Sequence, residues 1–139
     1  MTAQETPNFS FHHIGIITPE PEKTAQHYHH LGYQRGRAIE DKAQKVWVEI
    51  LKHHSGPLVE LVTPIDNSSP AWAWQEKLKV GPYHTCYGVP ILEQAFDFLR
   101  NDKWMPVTPI TFSPVFENRI VFLWNAQVGL VEILELPKE

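Results

Sequence analysis

Leu58-Val59-Glu60-Leu61-Val62-Thr63-Pro64 and Leu130-Val131-Glu132-Ile133-Leu134-Glu135-Leu136-Pro137 carry one pattern twice: an acid placed third in an apolar run that closes on proline. Glu60 and Glu132 stand 72 residues apart. Moving outward, Phe11-His12-His13-Ile14 answers Pro82-Tyr83-His84-Thr85, with His13 and His84 separated by 71 residues. Thr18-Pro19 answers Val89-Pro90, Glu22 answers Glu93, Tyr28 answers Leu99 and Tyr33 answers Trp104. Two unrelated landmarks with nearly the same offset mark an internal repeat. The chain reads as a single domain over residues 9–137, built from halves at about 9–66 and 82–137. The linker over 67–81 includes a helical stretch at about 71–79.

Each half spells the same elements. A short apolar strand opens it, at 11–17 and again at 83–89. A helix follows. Ile91, Leu92, Ala95, Phe96 and Leu99 fall on one stripe at helical spacing, and Ala25, Tyr28 and Leu31 repeat it more sparsely. Strand pairs then close the halves, at 46–52 with 58–63 and at 120–124 with 129–134, joined by short hairpin linkers at 53–57 and 125–128. One further strand precedes each pair. In the second half Pro106, Pro109 and Pro114 make it an irregular edge. The expected fold class is α+β, with two tandem βαβββ modules forming a curved mixed sheet around a metal-binding cavity and helices outside.

Alternation along a strand puts Phe11, His13, Gly15 and Ile17 on one face, Leu58, Glu60 and Val62 on another, and likewise His84 with Cys86 and Leu130 with Glu132 and Leu134. A lone carboxylate in an apolar run is costly to keep ionised without a partner. A metal ion meets that cost. The repeat sets one histidine and one glutamate at the same two places in each half, so His13, Glu60, His84 and Glu132 are the candidate ligands. Two imidazoles and two carboxylates suit a divalent Zn, Ni, Co, Mn or Fe ion, with positions left for water or substrate.

The remaining residues narrow the function class. The 139-residue chain has a net charge of −4, which argues against general nucleic-acid binding. A single cysteine, Cys86, forbids an intrachain disulfide and suits a reducing compartment. The opening MTAQETPNFS lacks the basic and apolar regions of a signal peptide, and no apolar run approaches the ~20 residues of a membrane span. The expectation is a cytoplasmic protein acting on a small molecule. No glycine-rich phosphate loop or dinucleotide fingerprint occurs, so no further cofactor is expected. Cys86 reads as a small buried thiol. His27-Tyr28-His29-His30 offers a metal pair at i, i+3 but reads first as a solvated helix end. Trp104 and Trp124 read as ordinary core, while Trp47, Trp72 and Trp74 are candidates to stack a flat ligand.

Phe11-His12-His13-Ile14-Gly15-Ile16 resembles the opening strand of methylmalonyl-CoA epimerases and glyoxalases. Val59-Glu60-Leu61-Val62-Thr63-Pro64 with Asn67-Ser68-Ser69-Pro70, then Pro82-Tyr83-His84, then Leu130-Val131-Glu132-Ile133 resemble their later ligand segments in order and spacing. On these motifs the chain is identified as a member of the vicinal oxygen chelate superfamily, closest to epimerase-like and glyoxalase-like proteins. The resemblance implies a metal-dependent isomerase or epimerase that abstracts a proton α to a carbonyl through a metal-stabilised enediolate. It also implies an acyl thioester or 2-oxo compound as substrate, and pairing of two copies. It assigns the proton-transfer pair to Glu49, in Val46-Trp47-Val48-Glu49-Ile50, and Glu132. Alternation groups Glu49 with Trp47 and Leu51, so it reaches a substrate if that face lines the cavity.

Glu60 is the residue that glyoxalase I carries at the second-ligand place, where epimerases carry Gln. A lactoylglutathione lyase-like activity is therefore a second reading. A small-molecule binding or resistance protein on the same fold is a third, although drug-sequestering members lack the ligands present here. Ring-cleaving dioxygenases draw two histidines and one glutamate from a single unit, and here both halves are equipped.

Overall fold

The computed structural model describes residues 6–137, so part of the MTAQETPNFS opening lies outside the described residues. Its elements are β1 (Ser10–Ile17), α1 (Pro21–His30), β2 (Ile39–Asp41), β3 (Val46–Leu51), β4 (Leu58–Pro64), α2 (Trp72–Leu78), β5 (Gly81–Val89), α3 (Leu92–Asn101), β6 (Met105–Pro106), β7 (Thr111–Ser113), β8 (Asn118–Asn125) and β9 (Gly129–Glu135). The class is α+β with a mixed sheet. No helix among the described residues is long and apolar enough to cross a membrane.

The chain divides into two compact units. One runs from His13 to His84, and the other takes the stretches up to His12 and from Thr85 onward. In the first, the strand order is β2-β3-β4-β1. β2–β3 and β3–β4 are antiparallel, while β1 and β4 are parallel, with Gly15 beside Glu60. In the second, β5 and β9 are parallel, β9 and β8 antiparallel, and β6 and β7 both pair with β8. The proline-rich stretch after α3 yields only these two short pieces, because proline cannot donate to a ladder.

In the first unit the sheet has two distinct faces. Ile16, Val59, Leu61 and Leu51 pack with Ala25 of α1 and with Tyr28 and Tyr33. Burying side chains of this size contributes about 1.5–3 kcal/mol each. The other face carries His13, Gly15, Glu60 and, by register, Val48 and Ile50. In the second unit Leu92, Ala95 and Leu99 of α3 cover Val121, Leu123, Val131 and Ile133, leaving Glu132 on the opposite face of β9.

Two core expectations fail. Leu31 is 68% exposed, because α1 stops at His30 and the chain turns through Gly32 at φ +99. Tyr33 takes the place on the core side, with its ring 5.3 Å from that of Tyr28. Trp124 is 38% exposed rather than core; on β8 it pairs in register with Met105 of the two-residue edge strand β6, which is itself exposed. Cys86 is fully buried, in keeping with a packed thiol.

Each unit also pins its helix to its sheet with an arginine fork. Arg35 holds Glu22 in the first turn of α1 and Glu49 on β3, with its Nη2 2.8 Å and 2.9 Å from them. Arg119 on β8 holds Glu93 in the first turn of α3 and Glu135 on β9. The two glutamates of the helices match in the repeat, but the two arginines do not. The hydrogen bonds from Arg119 hold the Glu93 carboxyl down at about 2.

Candidate metal centre

His13 comes from β1, Glu60 from β4 and His84 from the start of β5, all within the first unit. Their exposures are 0%, 6% and 4%. Nε2 of His13 lies 3.3 Å from Nε2 of His84. Oε1 of Glu60 lies 3.5 Å from the first nitrogen and 3.4 Å from the second. The three atoms form a nearly equilateral triangle. Ligands about 2.1 Å from one ion, at angles of about 90–110°, are themselves about 3.0–3.4 Å apart. The triangle therefore has the size of three positions around a transition-metal ion, and two imidazoles with a carboxylate are the donor set such ions favour. Burial raises the Glu60 carboxyl, but His13 and then His84 more than offset it, leaving it below the usual carboxylate range and ready to act as a ligand.

The local sequence explains why these side chains converge. A Cβ at Gly15 would lie 2.0 Å from Cε1 of His84. Only glycine leaves room on β1 for that imidazole. Tyr83 flanks it edge-on, at 4.5 Å between ring centres, and Trp74 of α2 stands 6.2 Å from Tyr83. The sequence signal for Gly15 was available, a glycine two residues after His13 in an otherwise bulky strand, but its purpose was not. We expect Gly15→Ala to displace His84 and weaken metal binding roughly tenfold or more. A metal titration would show it, with far-UV circular dichroism confirming a folded chain, and undiminished affinity would refute the cradle.

Glu132 belongs to the other unit. It is 2% exposed, lies mid-strand on β9, and pairs in register with Cys86 and Phe122. Glu49 is placed differently from the expected active-site role. Its register partner on β4 is Leu61, whereas Glu60 pairs with Ile50. Directly opposed residues of an antiparallel pair share a face. Glu49 therefore points to the α1 side, away from the face of Glu60. There its carboxylate receives both arms of the Arg35 fork, and it borders a cavity of about 300 Å³ with Glu22, Ala38 and Trp47. The residues of β3 that share the Glu60 face are Val46, Val48 and Ile50, and none can carry a proton.

A sequence profile of the glyoxalase/bleomycin resistance protein/dioxygenase superfamily matches residues 12–121. The chain belongs to this superfamily. Its fold is shared with solved superfamily relatives. Methylmalonyl-CoA epimerase from Mycobacterium tuberculosis is 22% identical, with a TM-score of 0.83 over 100% of this chain and 94% of that one. A Streptomyces coelicolor methylmalonyl-CoA epimerase variant in complex with 2-nitronate-propionyl-CoA is 19% identical, with a TM-score of 0.82 over 92% and 98% of the two chains. A methylmalonyl-CoA epimerase in complex with methylmalonyl-CoA and NH4+ is 19% identical, with a TM-score of 0.81 over 91% and 94%. At such identities the likeness is one of fold. A search of curated protein sequences found no match.

Proposed function

We propose that this superfamily member is a metal-dependent enzyme that removes a proton α to a substrate carbonyl, as an isomerase or epimerase does. The observation that carries the reading is the buried triangle of His13, Glu60 and His84. We assign Glu132 as the fourth ligand on the strength of the repeat, since it occupies in the second half the place that Glu60 occupies in the first. A divalent ion held by His13, Glu60, His84 and Glu132 would supply a Lewis acid for the charge on a carbonyl oxygen when the neighbouring C–H bond is broken.

The residues do the rest. His13 and His84 offer imidazole nitrogens, and buried Glu60 offers a carboxylate. Glu132 has two carboxylate oxygens, so one can serve as ligand while the other accepts the α-proton. Glu49 has no part in that transfer, because Arg35 holds it on the helix side of β3. An acyl thioester fits the reaction and is the class named with the epimerase relatives. A 2-oxo compound fits the same chemistry.

Solvent exchange tests this. The metal-loaded protein is incubated with a methyl-branched acyl thioester in deuterated water, and label at the α-carbon is read by mass spectrometry. We expect exchange in the wild type and a loss of roughly 100-fold or more in Glu132→Gln, the usual scale for a removed general base. Absence of exchange with thioesters and 2-oxo compounds alike, on protein that holds its metal, would overturn the enzymatic reading in favour of a binding protein.

A further inference from the structure

We propose a second, exposed transition-metal site at the C-terminal end of α1, formed by His27 and His30. It is independent of the buried triad and of the proposed reaction. The two residues are three apart on a helix, so their side chains rise from the same face. Both are exposed, and their rings stand 6.0 Å apart at 82°. Two imidazoles binding one ion at about 2.1 Å have ring centres about 5 Å apart. Small rotations of two surface side chains close that difference.

The neighbouring histidines make other contacts. His29 directs Nδ1 to the carbonyl of Tyr33 at 3.0 Å. His53 lies 3.0 Å through Nε2 from the Leu31 carbonyl, and its Nδ1 accepts from the Ser55 amide. His54 stacks on His53 at 4.7 Å. His30 contacts Gln26 at 3.2 Å, an exposed bond that an ion can displace. Lys23, one turn before His27, is already paired with Glu20 at 3.1 Å, which tempers its repulsion. The location favours a cation, because the last turn of a helix carries the negative end of its dipole.

Two nitrogen donors and water select Cu2+, Ni2+, Zn2+ or Co2+ over Mg2+ or Ca2+. With only two protein ligands the site binds weakly and exchanges freely with solvent. It takes ions of the class that the buried triad suits, from the opposite kind of environment.

The test uses the untagged full chain on immobilised Ni2+. Wild type and His84→Ala, whose buried triad is broken, are both expected to be retained and to elute with imidazole. His27→Ala/His30→Ala is expected to pass in the void volume, while His54→Ala is retained. Circular dichroism confirms that each variant is folded, and the three positions outside the triad, His27, His30 and His54, are on the surface. Failure of the wild type to bind would overturn the site. So would retention of the His27→Ala/His30→Ala variant, or loss of retention in His84→Ala.

Discussion

Replacing Glu60 by glutamine is expected to lower metal affinity roughly a hundredfold or more, since it removes the one fixed negative charge from the triangle of the first unit. The amide keeps the shape of the side chain and one donor oxygen. It loses the charge that offsets desolvation of a dication at a site where Glu60 is 6% exposed. His13 and His84, whose Nε2 atoms lie 3.3 Å apart, are left to offer two nitrogens, which is a weak chelate. Competition with a coloured chelator measures the loss. A Glu60→Gln protein that holds its ion as tightly as wild type would show that the charge of Glu60 does not set the affinity of the site.

Arg35→Leu is expected to destabilise the fold by about 2–3 kcal/mol, discounted for the partial exposure of the arginine from the 3–5 kcal/mol typical of breaking a buried pair. The Glu49 side chain is 7% exposed and that of Arg35 is 28% exposed. Without the guanidinium, Glu49 is left as a desolvated charge between β3 and α1, and the first turn of α1 loses its tether through Glu22. The melting temperature should fall by roughly 5–10 °C. A companion change separates structure from chemistry. Arg35→Leu combined with Glu49→Leu removes both charges and should recover much of the loss, because an apolar pair of similar volume tolerates burial. Glu49→Gln should leave metal content and α-proton exchange unchanged. If it keeps full stability but abolishes exchange, the orientation of Glu49 given by the register is wrong.

The fate of Glu49 marks the boundary of what the amino-acid sequence discloses. The repeat pointed to the opening strands, the hairpins and the candidate histidines and glutamates, because similar landmarks recur at nearly constant offset, while the parallel pairing of β1 with β4 and of β5 with β9 emerged only with the fold. Alternation then grouped Glu49 with Trp47 and Leu51, and that grouping is what the structure shows. Parity cannot say which group faces the helix, since Val46, Val48 and Ile50 read as apolar as Trp47 and Leu51. The decision rests with Arg35, from a loop whose reach no local pattern reveals. Leu31 was misjudged for a related reason: the helical stripe continued on paper, but Gly32 ended the helix first. Trp124 reads as core by residue type, but it lies beside an edge strand shortened by prolines and is 38% exposed. The approach of His84 to Gly15 joins positions on two strands far apart in sequence, so the need for glycine there became visible only with the fold.

The most direct test of the central claim is the metal content of the purified chain by elemental analysis. It is best made in the His27→Ala/His30→Ala background, so that surface binding does not add to the count, and beside the same protein carrying His84→Ala. The triad predicts about one transition-metal ion per chain, lost with His84→Ala. A folded protein that holds no transition metal, even after reconstitution with Zn, Ni, Co, Mn or Fe, would contradict the metal centre and the chemistry built on it.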